Sequence, residues 1–146
     1  MPDIIHRIGI RADPTKVFAA LTTEKGLAGW WTKNTKADAK VGATLQFRFG
    51  QGGPDMKVVG LNPNKNVKWK CVSGPEEWVD TDLTFDLKEE DGETVLLFGH
   101  RKWKEAGEFM AHCSCKWAYF LLSLKSLLEH GKGTPYPEDL QLSSWG

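Results

Sequence analysis

Hydrophobic positions recur along this chain at two different periods. From roughly Glu108 to His130, the residues Phe109, Cys113, Trp117, Phe120, Leu121, Leu124, Leu127 and Leu128 fall mostly three or four apart. At 3.6 residues per turn that spacing puts all of them on one face of a helix. Before it, from about residue 36 to 103, apolar and polar residues alternate in short runs, the pattern of strands. One long helix closing a region of strands needs a sheet to lie on, and both surfaces carry large side chains.

Shorter signals mark the individual elements. Ile4 to Ala12 alternates as a half-buried strand, with Ile4, His6, Ile8 and Ile10 facing one way and Ile5, Arg7 and Arg11 the other. Asp13-Pro14 opens a helix, Asp13 at the N-cap and Pro14 at the first helical position, with Val17, Phe18 and Leu21 as its apolar face. Thr23 caps a second short helix through Leu27 to Trp31, kept short by Gly26 and Gly29. Asn34 to Gly42 is only weakly strand-like, whereas Thr44 to Phe49 is a clear strand with Leu45, Phe47 and Phe49 on one face. Gly50 to Pro54 is a flexible hairpin loop that could gate the mouth of a pocket.

Strands follow at Met56 to Leu61 and Val67 to Val72, joined by the turn-forming Asn62-Pro63-Asn64-Lys65-Asn66. Val67, Trp69 and Cys71 share a face, and Ser73 to Asp80 is a loop. Thr81 to Lys88 alternates Leu83, Phe85 and Leu87 against polar residues, and Asp91-Gly92 signals a hairpin into a strand from Glu93 to Trp103. The inward set of that last strand is either Thr94, Leu96, Phe98 and His100 or Val95 and Leu97; parity alone does not choose. Gly131 and Gly133 end the long helix, and an irregular, proline-bearing tail follows from about residue 132. One strand, two short helices, about six strands joined mostly as hairpins and a final helix make an antiparallel meander of the α+β class.

Composition narrows the function. A chain of 146 residues is one domain in size and needs no disulfide or metal to fold. Nineteen Lys and Arg balance nineteen Asp and Glu, which argues against a nucleic-acid groove. No apolar run approaches a membrane span. Three cysteines and no visible signal peptide point to a reduced, cytoplasmic setting. Seven tryptophans are the unusual feature, and they suit either a binding surface or a heavy aromatic core.

The pieces Asp13 to Leu21, Leu27 to Trp31 with its Trp30-Trp31 pair, Val41 to Phe47, Val59 to Lys65, Thr81 to Phe85, Asp91 to Leu96 and the helix from Trp117 to Leu128 stand in a telling order. In that order, over roughly residues 3 to 131, the chain resembles the START-related helix-grip superfamily. Within it the chain is similar to the group related to the C-terminal domain of the heat-shock-protein-90 ATPase activator. The resemblance implies a curved antiparallel sheet of six to seven strands wrapped around the C-terminal helix, with a hydrophobic pocket between them. It implies Thr94, Leu96, Phe98 and His100 as the inward set and places Trp30 and Trp31 near a pocket mouth. It also brings the functions found in that superfamily: lipid or hormone carriage, aromatase/cyclase-like chemistry and co-chaperone activity.

On this frame the candidate ligand-binding residues are Trp30, Trp31, Phe47, Phe49, Met56, Trp69, Phe85, Phe98, His100, Trp117 and Phe120. A pocket lined by them suits a flat or aliphatic apolar molecule, though the same side chains can fill the space themselves. His100 on the inward face can orient a ligand or act as an acid/base group; its plainer role is a strand-end histidine hydrogen-bonded to a neighbour. His112-Cys113-Ser114-Cys115 looks like a metal cluster, but on a helix Cys113 and Cys115 lie about 200° apart. That reads as packing, with Cys113 buried and Cys115 more exposed. There is no GxSxG, no phosphate-cradling loop ahead of a helix and no HExxH, so neither a cofactor nor a metal is expected. The expected function is binding of a small apolar or aromatic ligand. The alternatives are a co-chaperone-type module with a chaperone partner and an aromatase/cyclase-like enzyme using His100.

Overall fold

The computed structural model describes residues 1–146. Its elements run β1 (Ile4–Ile10), α1 (Pro14–Thr22), α2 (Glu24–Trp30), β2 (Asn34–Lys36), β3 (Thr44–Arg48), β4 (Asp55–Asn62), β5 (Asn66–Ser73), β6 (Asp82–Glu90), β7 (Glu93–Arg101) and α3 (Glu108–His130). The strands form one seven-stranded sheet in the order β1-β7-β6-β5-β4-β3-β2, antiparallel at every pair. Five of the six neighbouring pairs are consecutive in the chain; β1 instead returns to the far edge beside β7.

Register decides the parity that the sequence left open. Val58, Trp69, Leu83, His100 and Ile4 stand opposite one another across five strands. Leu61, Val67, Phe85, Phe98 and His6 form the next row. Directly opposed residues share a face, so Thr94, Leu96, Phe98 and His100 are the inward set. Val95 is covered too, but on the other face and outside the core cluster. A register shift between Val58 and Gly60 bends β4 and helps the sheet curl.

The curled sheet grips α3 through Cys113, Trp117, Phe120, Leu121 and Leu124, all buried. Gly131 ends the helix in the left-handed region at φ 82°, its N–H returning to the Leu127 carbonyl. The Glu129 carboxylate receives the Arg11 backbone N–H and the Lys125 ammonium, which fastens the last turn of α3 to the end of β1.

Several local expectations shift. Asp13 does sit at the N-cap of α1 but makes no side-chain hydrogen bond there, whereas Thr23 caps α2 as expected by accepting from the Gly26 N–H. The strand expected over Asn34 to Gly42 is reduced to three residues, and β1 stops at Ile10. The loop from Ser73 to Asp80 contains a helical turn, Glu76–Trp78, that buries Trp78.

Candidate functional site

The interior is filled. Trp31 packs on Trp69 with ring centroids 6.2 Å apart, Trp69 on Phe85 at 4.8 Å, Phe85 on Phe98 at 5.3 Å, Phe98 on Trp117 at 4.5 Å, and Trp117 back on Trp31 at 4.9 Å. Phe47 closes on Trp31 at 4.3 Å. This closed ring of aromatic contacts occupies the space between sheet and helix where a START-like pocket was expected. Phe47, Met56, Trp69, Phe85 and Phe98 are buried in the core and do not line the cavity of about 820 Å³ that lies beside it. Trp30 is not at a mouth: it is fully buried, and its Nε1 donates to the Ala20 carbonyl at 2.9 Å, locking α2 onto α1.

His100 is also walled in. Trp117 Nε1–H donates to its Nδ1 at 3.1 Å, which leaves Nε2 to donate to Thr81 Oγ1 at 2.8 Å. The Thr81 hydroxyl donates onward to the Trp78 carbonyl. Every member of the chain is satisfied, and a second proton on His100 would face the Trp117 N–H. Burial pushes its pKa down from 6.5 to about 3. His100 is therefore the hydrogen-bonded strand-end histidine and does not reach the cavity.

Between pH 6.5 and about 3 the unfolded chain carries a proton at His100 that the folded chain excludes. The stability from the neutral imidazole is complete above pH 6.5 and falls as pH drops toward 3. His112, also lowered, adds to the same trend, whereas Glu129, held down to about 2 by the Arg11 N–H and Lys125, enters only at lower pH. The urea midpoint should fall between pH 7 and pH 5, and His100→Gln, which cannot titrate, should lose most of that fall. An undiminished fall in His100→Gln would refute this assignment.

The cavity lies outside the filled core, at one end of the molecule, with a volume of about 820 Å³. One wall is a stripe of α3: Phe109, His112, Cys113, Lys116, Trp117 and Phe120, spaced three and four apart on one helix face. The second wall is the loop from Gly52 to Pro54, Ser73 to Pro75, and Trp78, with Trp31 and Phe49 behind. The third is the tail, through Tyr136, Asp139, Gln141, Ser144 and Trp145. Of the eleven residues expected from sequence, Trp31, Phe49, Trp117 and Phe120 reach this cleft. Gly52 and Gly53 line it, and Gly50 does not.

The tail has no helix or strand, yet it is held in place. Tyr136 N–H donates to the Trp31 carbonyl at 2.9 Å, and Lys33 N–H donates to the Tyr136 carbonyl at 3.1 Å. Thr134 N–H reaches Ser123 Oγ at 2.7 Å. Gly133 permits this docking, because a Cβ there would stand 2.4 Å from the Gly29 carbonyl oxygen. Lys116 pairs with Asp139 at 2.5 Å and also donates to the Leu140 carbonyl. Trp145 meets the edge of His112 at 5.7 Å, and His112 stacks on Phe109.

The electrostatics of the cleft are those of neutral groups around one ion pair. Burial pushes the Cys113 thiol up to about 12, so it stays protonated. Burial and the Lys116 charge hold His112 below its ordinary value. Cys113 is buried and Cys115 exposed, and no three His, Cys, Asp or Glu side chains converge on a metal position. No helix is long and apolar enough to cross a membrane. Trp78, His112, Lys116, Asp139 and Trp145 were not among the residues expected from sequence. The α3 stripe carried a signal for the first three turns of its cleft wall; the tail carried none.

A family model described as activator of Hsp90 ATPase homolog 1-like protein matches residues 11–129. The Aha1 dimer from Colwellia psychrerythraea, solved in solution, is 50% identical, with 91% of this chain and 100% of that chain covered and a TM-score of 0.84. A crystal structure of a Staphylococcus saprophyticus protein is 19% identical, covering 90% of this chain and 95% of that one at a TM-score of 0.76. DynU16, a putative protein of the dynemicin biosynthetic locus, is 22% identical over 90% of this chain and 48% of its own, again at 0.76. The last two share the fold. No curated protein matches the chain.

Proposed function

Because this chain belongs to the activator of Hsp90 ATPase homolog 1-like family, whose helix-grip fold it has, we propose that it binds a small apolar or aromatic molecule in the terminal cleft rather than in the filled interior. The observation that carries this reading is the cleft of about 820 Å³, walled by Trp31, Trp78, Trp117, Phe109 and Phe120. That volume falls in the usual range for small-molecule sites, roughly 300–1,000 Å³. Trp78 and Trp117 stack on each other, at 20° with centroids 5.9 Å apart, and give the wall a continuous aromatic stretch. The residues we assign to ligand contact are thus Trp31, Phe49, Trp117 and Phe120 from the sequence and Trp78, Phe109 and Trp145 from the structure.

The reading is tested by NMR titration of the isotopically labelled protein with polycyclic aromatic and acyl-chain probes. Saturable shifts confined to Gly52, Gly53 and the indole N–H groups of Trp78 and Trp145 are expected. If no probe moves those resonances at millimolar concentration, the reading is wrong.

A second reading follows from the 50% identity to the Colwellia protein called Aha1 and the name of the family. It is that the domain regulates the ATPase of an Hsp90-type chaperone. A coupled ATPase assay with the purified chaperone, with and without this protein, decides it; an unchanged rate across a concentration series removes it.

A further inference from the structure

The outer face of the sheet, turned away from α3, carries charges that the fold itself does not balance. Lys57 on β4 and Lys70 on β5 stand directly opposite each other. Both are exposed, and neither forms an ion pair. Their strand neighbours Met56, Val58, Trp69 and Cys71 are buried in the core, so both ammonium groups stand on the opposite, outer face. Lys68, two residues before Lys70, is exposed on that face as well. It shares the Asp82 carboxylate with Lys102, at 3.8 Å and 2.9 Å. Four lysines therefore stand around one carboxylate. The other acids close by are already taken: Asp55, two residues before Lys57, meets Arg48 at 2.8 Å, and Asp3 meets Arg101 at 3.3 Å. Like charges directly opposed across a sheet are destabilising, and local conflicts of that kind concentrate at functional sites.

The apolar residues of the same face say what kind of partner fits. Val72 follows Lys70 by two positions and Val59 follows Lys57 by two, at the bulge of β4. They are 45% and 41% exposed. Because the strands are antiparallel, one valine lies at each end of the opposed lysines. We infer that this strip docks an acidic segment of a partner protein, with carboxylates on Lys57, Lys70 and Lys68 and apolar side chains on Val59 and Val72. No aromatic ring stands among these residues for nucleic-acid bases to stack on. A bilayer would have to lie across the whole outer face, where Asp86 on β6 is exposed, and the chain has no net positive charge to hold it there. The docking strip is separate from the cleft and does not depend on what the cleft binds.

The test uses the full chain and four probes: a nonapeptide of three Leu-Glu-Glu repeats, the same peptide with Gln for Glu, a single-stranded oligonucleotide, and vesicles containing phosphatidylserine. The acidic peptide should give saturable shifts at the amides of Lys57, Lys68 and Lys70, weakening as salt is raised, and leave Gly52 and Gly53 at the cleft unmoved. The double variant Lys57→Gln/Lys70→Gln should bind it at least about tenfold more weakly, the ratio expected when hydrogen bonds to charged groups are lost. Lys16→Gln, an exposed lysine of α1, should bind it as the wild type does. The double variant should also unfold at a higher urea concentration, because it removes the opposed charges; a residue pair with a merely structural role would show the reverse. Equal binding of the Gln peptide, undiminished binding by the double variant, or a lowered urea midpoint overturns the inference. Shifts at the strip with the oligonucleotide or the vesicles, and none with the acidic peptide, overturn it as well and assign the strip to that class of partner.

Discussion

Trp117→Ala should lower the stability of this protein by about 3–5 kcal/mol, the range for truncating a large buried aromatic. Trp117 closes the ring of interior aromatics, packing on Phe98 at 4.5 Å and on Trp31 at 4.9 Å. It also donates the hydrogen bond that satisfies His100 Nδ1. Alanine would leave a void that the rigid sheet and helix cannot close, and an unpaired acceptor inside it. Against a total stability of roughly 5–15 kcal/mol, such a loss is a large share. Urea unfolding followed by circular dichroism measures it. Trp117→Phe should fall between wild type and alanine, since it restores most of the packing but not the N–H. A loss under about 1 kcal/mol for alanine would mean that the aromatic ring is not what holds α3 to the sheet.

The second large effect is expected at the tail. Lys116→Met keeps the apolar stem and removes the charge that Asp139 meets inside the cleft. Leaving one partner of a buried pair unpaired costs about 3–5 kcal/mol. The tail's backbone tethers at Tyr136 and Thr134 contribute roughly 1 kcal/mol each, so the damage should be local. The tail lifts from the cleft, and the sheet and α3 persist. Hydrogen exchange of the Tyr136 amide should accelerate strongly, while amides of β6 and β7 stay protected. The double variant Lys116→Met/Asp139→Leu should recover much of the tail protection, because an apolar pair needs no partner charge. Unchanged Tyr136 exchange in the single variant would show that the ion pair does not hold the tail.

These two sites differ in how visible they were beforehand. Trp117 belonged to a periodic stripe, and its burial follows from helix geometry alone. The Lys116–Asp139 pair joins positions 23 residues apart across a chain reversal at Gly131 and Gly133. Asp139 sits in an irregular segment whose sequence carries no period. Trp78 was hidden in the same way: Gly74-Pro75 correctly announces a loop, but nothing local says that the loop folds one turn of helix and turns an indole inward. His100 lay between the two cases. Its place on a strand was legible, while its role waited on the neighbours brought by Thr81 and Trp117.

By itself, the sequence determined the α+β class, the antiparallel meander, the closing helix and the family pattern. Each of these is written in short-range signals, the period of apolar residues, the caps and the turns, which neighbouring residues impose on one another through backbone sterics and burial. Only the tertiary structure decided that the interior is filled, that the cleft lies at its end, and that the tail supplies a wall. Whether facing side chains interlock or leave a gap depends on register, on sheet curl and on ring orientation across elements far apart in the chain. Aromatic rings of the same kind plug a core when they interleave, as Trp31, Trp69 and Trp117 do, and line a cavity where a loop and a tail hold the opposite wall away.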